Sequence, residues 1–234
     1  MNSRKYARIK NMLLIGLTAS AVTVFGGELP IGWTVYPEAD NYLLSMILGC
    51  GNLSMLQLAC GALFGGIGIP LQYYGFEAAA QIVELGGNVK SSRLIHWGGL
   101  TCAFWGGIVH VICVALMFVC KILDTQVMTV LPQPVLDFTL WLVMPISVVF
   151  MPIYYAMIIA MLIVISKGKT FFPKWAAIFN PLLPTIVLNI LPEIAPNTAL
   201  VNGLSMANMG VGSLWTFAGL LILLVKHHRF DAQL

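Results

Sequence analysis

Charged residues are scarce in this chain. Of its 234 residues only 9% are Asp, Glu, Lys or Arg, whereas 59% are apolar; an average soluble domain has about 25% charged residues. A soluble fold of this size needs far more polar side chains to cover its surface, and the mean hydropathy of +0.89 agrees. The composition therefore excludes a soluble enzyme, a nucleic-acid-binding protein and a disordered linker, and it predicts a membrane protein.

The sequence also lacks the patterns that bind metals or form disulfides. Its five cysteines form no CxxC pair, and only four histidines are present. His96 and His110 have a spacing that occurs in membrane cytochromes, but no second helix carries a matching pair. We therefore expect no haem, no structural metal and no other cofactor. Nucleophile elbows and phosphate-binding loops are missing from the sequence as well.

Long apolar runs dominate what is present. A membrane-spanning helix needs about 20 mainly apolar residues, and the sequence predicts an all-α bundle of six such helices in one domain, 1–234. The predicted spans are 9–28, 57–80, 97–120, 137–166, 175–192 and 199–225. Residues 40–55 are expected to lie at the outer face or to dip into the membrane from it. Ala19-Ser20-Ala21 resembles a signal-peptide cleavage site, but the apolar run continues past it, so we interpret 9–28 as a retained span.

The stretch 42–80 is long enough for one span or for two that turn at Gly65-Gly66. Basic residues favour one span, because Lys and Arg accumulate on the cytoplasmic side of short loops. Six spans in total place eleven basic residues inside and Lys121 alone outside, whereas an additional span gives five inside and seven outside. We therefore predict six spans, with both termini in the cytoplasm, in the inner membrane of a bacterium.

Polar residues near the outer ends of the spans predict a cavity that opens outward. Because polar groups in hydrocarbon need partners, they normally face the bundle interior. The predicted catalytic groups are Glu28, Glu193 and His110, of which a carboxyl could hold or donate a proton. The predicted ligand-binding residues are Asn189, Asn202, Asn208, Trp33 and Trp105. Hydrogen bonding between helices, without any ligand, is the alternative explanation of the asparagines.

A second polar set lies toward the cytoplasm and comprises Gln72, Glu77, Gln81, His96 and Asn180. Glu77 either reaches the interface or pairs with Arg93 or His96. Small residues share one face of the second span, at Gly61, Gly65, Gly68, Gly75 and Ala79. Such a face favours close packing between helices, and the Gly61-Gly65 part could form an oligomer contact. The alternative is that it leaves room for a ligand beside His110.

The run from Pro173 to Pro181 reads PKWAAIFNP, which is similar to a P-[RK]-W-x-A-x-x-N-P signature. It resembles a family of uncharacterised bacterial membrane proteins of about this length. Members are also similar to this chain in their glycine-rich second span and in an asparagine at the start of the last span, here Asn202. The resemblance implies a six-helix membrane protein and no particular activity.

Three functions fit this pattern. The first is a membrane protein that binds, and in an enzyme also converts, a small lipid-like or isoprenoid-like molecule in the outer cavity. The second is a proton- or ion-coupled transporter or channel for a small solute, which needs polar groups that connect both faces. The third is a non-catalytic membrane subunit. The expected partners are membrane lipids and a small amphiphilic or apolar ligand.

Overall fold

The computed structural model describes residues 3–231, with side chains for residues 3–227; the predicted domain 1–234 extends beyond them at both ends. The described chain is entirely helical and contains no strand. Its helices are α1 (Ser3–Gly32), α2 (Tyr42–Asn52), α3 (Met55–Leu85), α4 (Val89–Ile122), α5 (Gln133–Ser166), α6 (Leu182–Ile194), α7 (Ala199–Met206) and α8 (Asn208–Asp231). Five of them, α1, α3, α4, α5 and α8, are long and apolar enough to cross a membrane. The prediction of an all-α chain with several membrane-length helices is confirmed.

The stretch 42–80 contains the short helix α2 and most of the long helix α3. The Asn41 side chain accepts a hydrogen bond from the Leu44 amide and caps α2. Ser54 and Gln57 form a capping box that begins α3, which is a strong start signal because it satisfies amides at the helix terminus. The helix continues through Gly65-Gly66, so the chain does not turn there.

The predicted span 175–192 differs most from the structure, because its helix, α6, begins only at Leu182. A 3₁₀ turn, Lys174–Phe179, precedes it. Asn180 is extended, and its side-chain oxygen accepts a hydrogen bond from the Leu182 amide, which begins a new helix after the turn. Thirteen residues of α-helix cover only about 20 Å, less than the hydrocarbon thickness of about 30 Å.

The glycine face of α3 packs inside the protein. A Cβ on Gly75 would collide with the ring of Phe217 on α8, and one on Gly61 would collide with Ile31 on α1. A Cβ on Gly65 would collide with the His110 ring on α4. The missing side chains therefore let α1, α4 and α8 approach α3 closely. Neighbouring helices of the same chain thus cover the Gly61 and Gly65 positions, through which the sequence predicts an oligomer contact.

Buried apolar side chains form two clusters along the bundle. The larger cluster joins α1, α3, α4, α5 and α8 and includes Ile9, Phe76, Tyr154, Met157, Phe217 and Leu224. The smaller cluster joins the end of α1 to α2, α4 and the start of α5, and includes Ile31, Leu53, Val114, Met117 and Val135.

Three helices contain a π-helical turn, at Val22–Glu28 in α1, Gly61–Gly65 in α3 and Thr139–Val143 in α5. The first two pack against each other. Such turns shift the backbone hydrogen bonds by one residue and occur frequently at functional sites.

Candidate functional site

A partly enclosed cavity of about 240 Å³ lies between the helices, where the two apolar clusters meet. Phe76 and Tyr154 of the larger cluster and Ile31 and Met117 of the smaller cluster all line it. Most other lining residues are apolar as well, among them Met151, Met206, Met209 and Phe150. Methionine side chains are flexible and adapt to the shape of a neighbouring group. The cavity wall is therefore apolar and deformable.

Three polar atoms on this wall have no hydrogen-bond partner among the described residues. They are Oε2 of Glu28, Nε2 of Gln72 and the hydroxyl of Tyr154. The three residues are only 8%, 6% and 3% exposed. A buried polar group without a partner costs about 1–3 kcal/mol, so native proteins rarely keep three around one cavity. Three buried polar groups without a protein partner among the described residues therefore converge on one cavity.

Glu28 is positioned by two irregularities of the backbone. It ends the π-helical turn of α1, and its carboxyl lies against Gly210 at the start of α8, where a Cβ would collide with Oε2. The second irregularity is at Ala207, where the regular α-helical hydrogen bonding is interrupted between α7 and α8. No Lys or Arg lines the cavity within the described part of the chain. Among the described residues, no cationic side chain of the cavity lining is therefore available to pair with this carboxyl.

His110 lines the same cavity and is held by α3. Its Nε2 lies 2.9 Å from the carbonyl oxygen of Gly61. A carbonyl oxygen only accepts, so Nε2 carries the hydrogen. In the neutral ring Nδ1 is then an acceptor. Gly65 leaves the space that the ring occupies.

The predicted outer asparagines lie outside the cavity lining. Asn202 is buried and donates to the Thr34 carbonyl and to the Asn197 side-chain oxygen, each at 2.8 Å. Asn208 donates to the Ser205 carbonyl at 2.6 Å and to the Asn189 side chain at 3.4 Å. These bonds tie α7 and α8 to the loop after α1 and to α6. Their geometry matches the alternative explanation, hydrogen bonding between helices.

The remaining outer residues are also separate from the cavity lining. Glu193 is exposed near the end of α6. Trp33 is exposed at the end of α1, where its carbonyl accepts a hydrogen bond from Gln57. Trp105 packs against the larger cluster and contacts the edge of Phe104. The structure therefore does not bring the predicted outer set into one cavity; only Glu28 and His110 of that set line it.

The predicted inner set divides in two. Gln72 lines the cavity, whereas Glu77 pairs with His96 at 2.5 Å and accepts a hydrogen bond from Gln81 at 2.8 Å. Of the two pairings considered for Glu77, the structure has the one with His96. Tyr73 connects the two places, because it lines the cavity and its hydroxyl lies 3.5 Å from His96 Nδ1.

Asn180, the last of the inner set, has a structural environment. Its side chain is buried, donates to the Ile158 carbonyl at 2.8 Å and accepts from the Leu182 amide at 3.0 Å. The Ile178 carbonyl, in the same motif, accepts a hydrogen bond from the Trp215 ring. The PKWAAIFNP run thus joins α5, α6 and α8 and lies outside the cavity lining.

Comparison with known proteins gives a family. Residues 1–227 match the model of a family of unknown function, DUF6796. The chain belongs to this family. No curated protein and no solved structure matches it. Since the DUF6796 match includes every residue of the cavity lining, the cavity lies entirely within the family region. The expectation of an uncharacterised family is confirmed.

Sequence reasoning missed Tyr154 and Tyr73 in this DUF6796 protein. Tyr154 lies two residues after Pro152, which stands inside α5. A tyrosine this close to a proline in the middle of an apolar helix is the pattern that could have identified Tyr154 as a site residue. A buried Tyr hydroxyl usually has a partner. Tyr73 had no comparable signal, because its role depends on the packing of α4 against α3.

Proposed function

We propose that this protein is a multi-pass membrane protein whose interior cavity binds a small, mainly apolar molecule that carries a hydrogen-bonding group. The observation that carries the proposal is the convergence of three unpartnered polar atoms, on Glu28, Gln72 and Tyr154, in an otherwise apolar cavity. Ligand sites are typically apolar cavities with a few converging polar groups that fix orientation.

The polar atoms define the ligand's chemistry. The Gln72 amide group donates, the Glu28 carboxylate accepts, and the Tyr154 hydroxyl does either. A hydroxyl or protonated amine near Glu28, with an oxygen near Gln72, satisfies all three. The cavity of about 240 Å³ is below the usual range of roughly 300–1,000 Å³ for drug-sized ligands. The ligand class is therefore a small lipid-like or isoprenoid-like alcohol, amine or carbonyl compound. In an enzyme, Glu28 would exchange a proton with it.

Native mass spectrometry of the detergent-purified full chain tests this proposal. We expect a bound small molecule on the wild-type protein and none on Cys113→Phe, since Cys113 lines the cavity and the larger ring fills it. The matched control is Cys60→Phe, because Cys60 has similar intermediate exposure and is not part of the lining. A wild-type protein without a bound molecule, or equal occupancy in both variants, would contradict the proposal.

We also propose the six-span topology with both termini in the cytoplasm. Five membrane-length helices and α6, joined to the 3₁₀ turn before it, would provide the crossings, and the eleven-to-one distribution of Lys and Arg supports their orientation. Reporter fusions at Lys121 and after Leu234 should then lie on opposite sides of the bacterial inner membrane. Reporters on the same side would refute this topology.

A second candidate function is proton-coupled transport of the same ligand. The contact of Tyr73 with both the cavity and the Glu77–His96 pair favours it, because hydrogen-bonded side chains can pass protons between a buried site and a more exposed one. A pH gradient imposed across the membrane of a liposome that contains the protein distinguishes the two functions. Transport requires that the gradient drives the ligand to the opposite side of the membrane, whereas binding alone does not.

A further inference from the structure

A groove on the outside of the bundle lies next to the cavity. It has a volume of about 570 Å³ and runs between α3 and α4, where Gly66, Pro70, Gly107 and Val111 contribute to its walls. Ala103 lines both the groove and the cavity. At this point the groove and the cavity are therefore separated by the methyl side chain of Ala103.

The rest of the partition is equally thin. A Cβ on Gly106 would lie 3.2 Å from the Ile69 side chain, and one on Gly107 would lie 3.1 Å from the Pro70 ring. Two glycines of α4 thus face two apolar residues of α3, and no polar side chain of the described residues separates the groove from the cavity at these contacts.

α3 is irregular at this point. Pro70 stands inside the helix, and the helix is interrupted at Gln72. The backbone N–H of Gln72 donates to both the Gly68 and the Ile69 carbonyl oxygens, each at 3.1 Å. Proline removes one helix hydrogen bond and commonly marks a bend. The irregular part of α3 therefore lies where the cavity wall faces the groove.

The groove lies at the depth of the hydrocarbon. Ala103 is fourteen residues from the start of α4 and nineteen from its end, which places it about 20 Å and 30 Å from the two helix ends. Leu100, Phe104 and Val111 on the groove are exposed. In a bilayer, acyl chains rather than water cover such a surface.

We propose that the ligand enters the cavity sideways from the lipid, through this groove and past Ala103, so that the natural ligand is a molecule dissolved in the bilayer. This rests on the proposed function and adds the route and the solubility class. A water-soluble solute would instead need a polar route from one membrane face.

Carbodiimide labelling of Glu28 tests the route. N,N′-diisopropylcarbodiimide is small and lipid-soluble, and a protonated carboxyl adds across one of its C=N bonds to give an adduct that retains the whole reagent. In wild-type protein in liposomes we expect an adduct on Glu28 by peptide mass spectrometry, and none from a charged, water-soluble carbodiimide. Glu28→Gln confirms that the adduct is on this residue.

The variants at Ala103 then separate the route from the site. Ala103→Phe should slow labelling about ten-fold or more, a factor that corresponds to about 1.4 kcal/mol in the barrier, and Ala103→Gly should accelerate it. Leu94→Phe enlarges an exposed residue of α4 that lines neither the groove nor the cavity, and it should leave the rate unchanged. The Gly variant keeps the test valid if the Phe variant fails to fold.

Each outcome has a distinct meaning. Unlabelled Glu28 in wild-type protein refutes access to the cavity and, with it, the proposed function. Labelling at equal rates in wild type, Ala103→Gly and Ala103→Phe overturns the lateral route and leaves the cavity as a binding site. Efficient labelling by the charged reagent also overturns the route, because that reagent must arrive through water.

Discussion

Replacing Glu28 with Gln is expected to reduce binding of the cavity's ligand about ten- to hundred-fold. Gln keeps the shape of Glu, but it cannot give a proton to the ligand to form a charged pair with it, and it has only one accepting oxygen. A hydrogen bond to a charged group contributes about 1.5–3 kcal/mol, and each 1.4 kcal/mol is about ten-fold in affinity. No other Asp or Glu among the described residues lines the cavity, so no second carboxyl replaces the lost one.

The same replacement should leave the protein as stable as before or more stable. Oε2 of Glu28 has no partner among the described residues, so the folded protein carries a cost that Gln reduces. The measurements are occupancy by native mass spectrometry and thermal stability of the ligand-free protein. The matched control is Glu193→Gln, an exposed residue for which both quantities should be unchanged. Lower stability with unchanged occupancy would show that Glu28 is structural.

Replacing Gly65 with Ala is expected to lower the stability of the protein substantially, although it adds only one methyl group. The new Cβ would collide with the His110 ring, which would have to leave its hydrogen bond with the Gly61 carbonyl. Overpacking of this kind costs about 1–3 kcal/mol. The displaced ring would also change the cavity wall, so ligand occupancy should fall together with stability.

The neighbouring glycine provides the control. A Cβ on Gly66 meets only a methyl group of Val111, at 3.3 Å, and Ala is favoured over Gly in a helix by up to about 1 kcal/mol. Gly66→Ala should therefore be neutral or stabilising. Thermal unfolding of the two purified variants in the same detergent measures the difference. Equal stability of the two would mean that His110 does not need the space at Gly65.

Hydropathy predicts much of the fold because the membrane requires long apolar helices. It places both ends of α3 and α5 within about five residues, it starts α4 eight residues late, and it identifies the short region before α3. It misplaces the start of α6, since apolarity continues through the Lys174–Phe179 turn, and only the hydrogen bond of Asn180 to Leu182 marks the boundary. The π-helical turns leave no comparable pattern in the sequence.

The site is harder to predict than the fold. Glu28 and His110 stand out because polar and ionisable residues within apolar spans are costly. Gln72 stands out for the same reason, but its position along α3 suggests the cytoplasmic side rather than the cavity. The asparagines carry an equally strong sequence signal, yet Asn202 and Asn180 satisfy their hydrogen bonds in the backbone of neighbouring segments. Composition cannot separate a satisfied polar group from an unsatisfied one; only tertiary contacts can.

The π-helical turn before Glu28 has a consequence for how this sequence tolerates change in length. Successive residues of an α-helix are rotated by about 100° around the axis, and a π-helical turn contains one residue more than the regular ladder. Deletion of one residue between Val22 and Glu28 would restore the regular α-helical hydrogen bonds. It would also rotate the end of α1 that lines the cavity relative to the earlier part of α1, which packs on Gly75 and Phe217. We therefore expect insertions and deletions to be excluded from Val22–Glu28, although a lipid-facing helix end would accept them. This holds even where each individual side chain is replaceable.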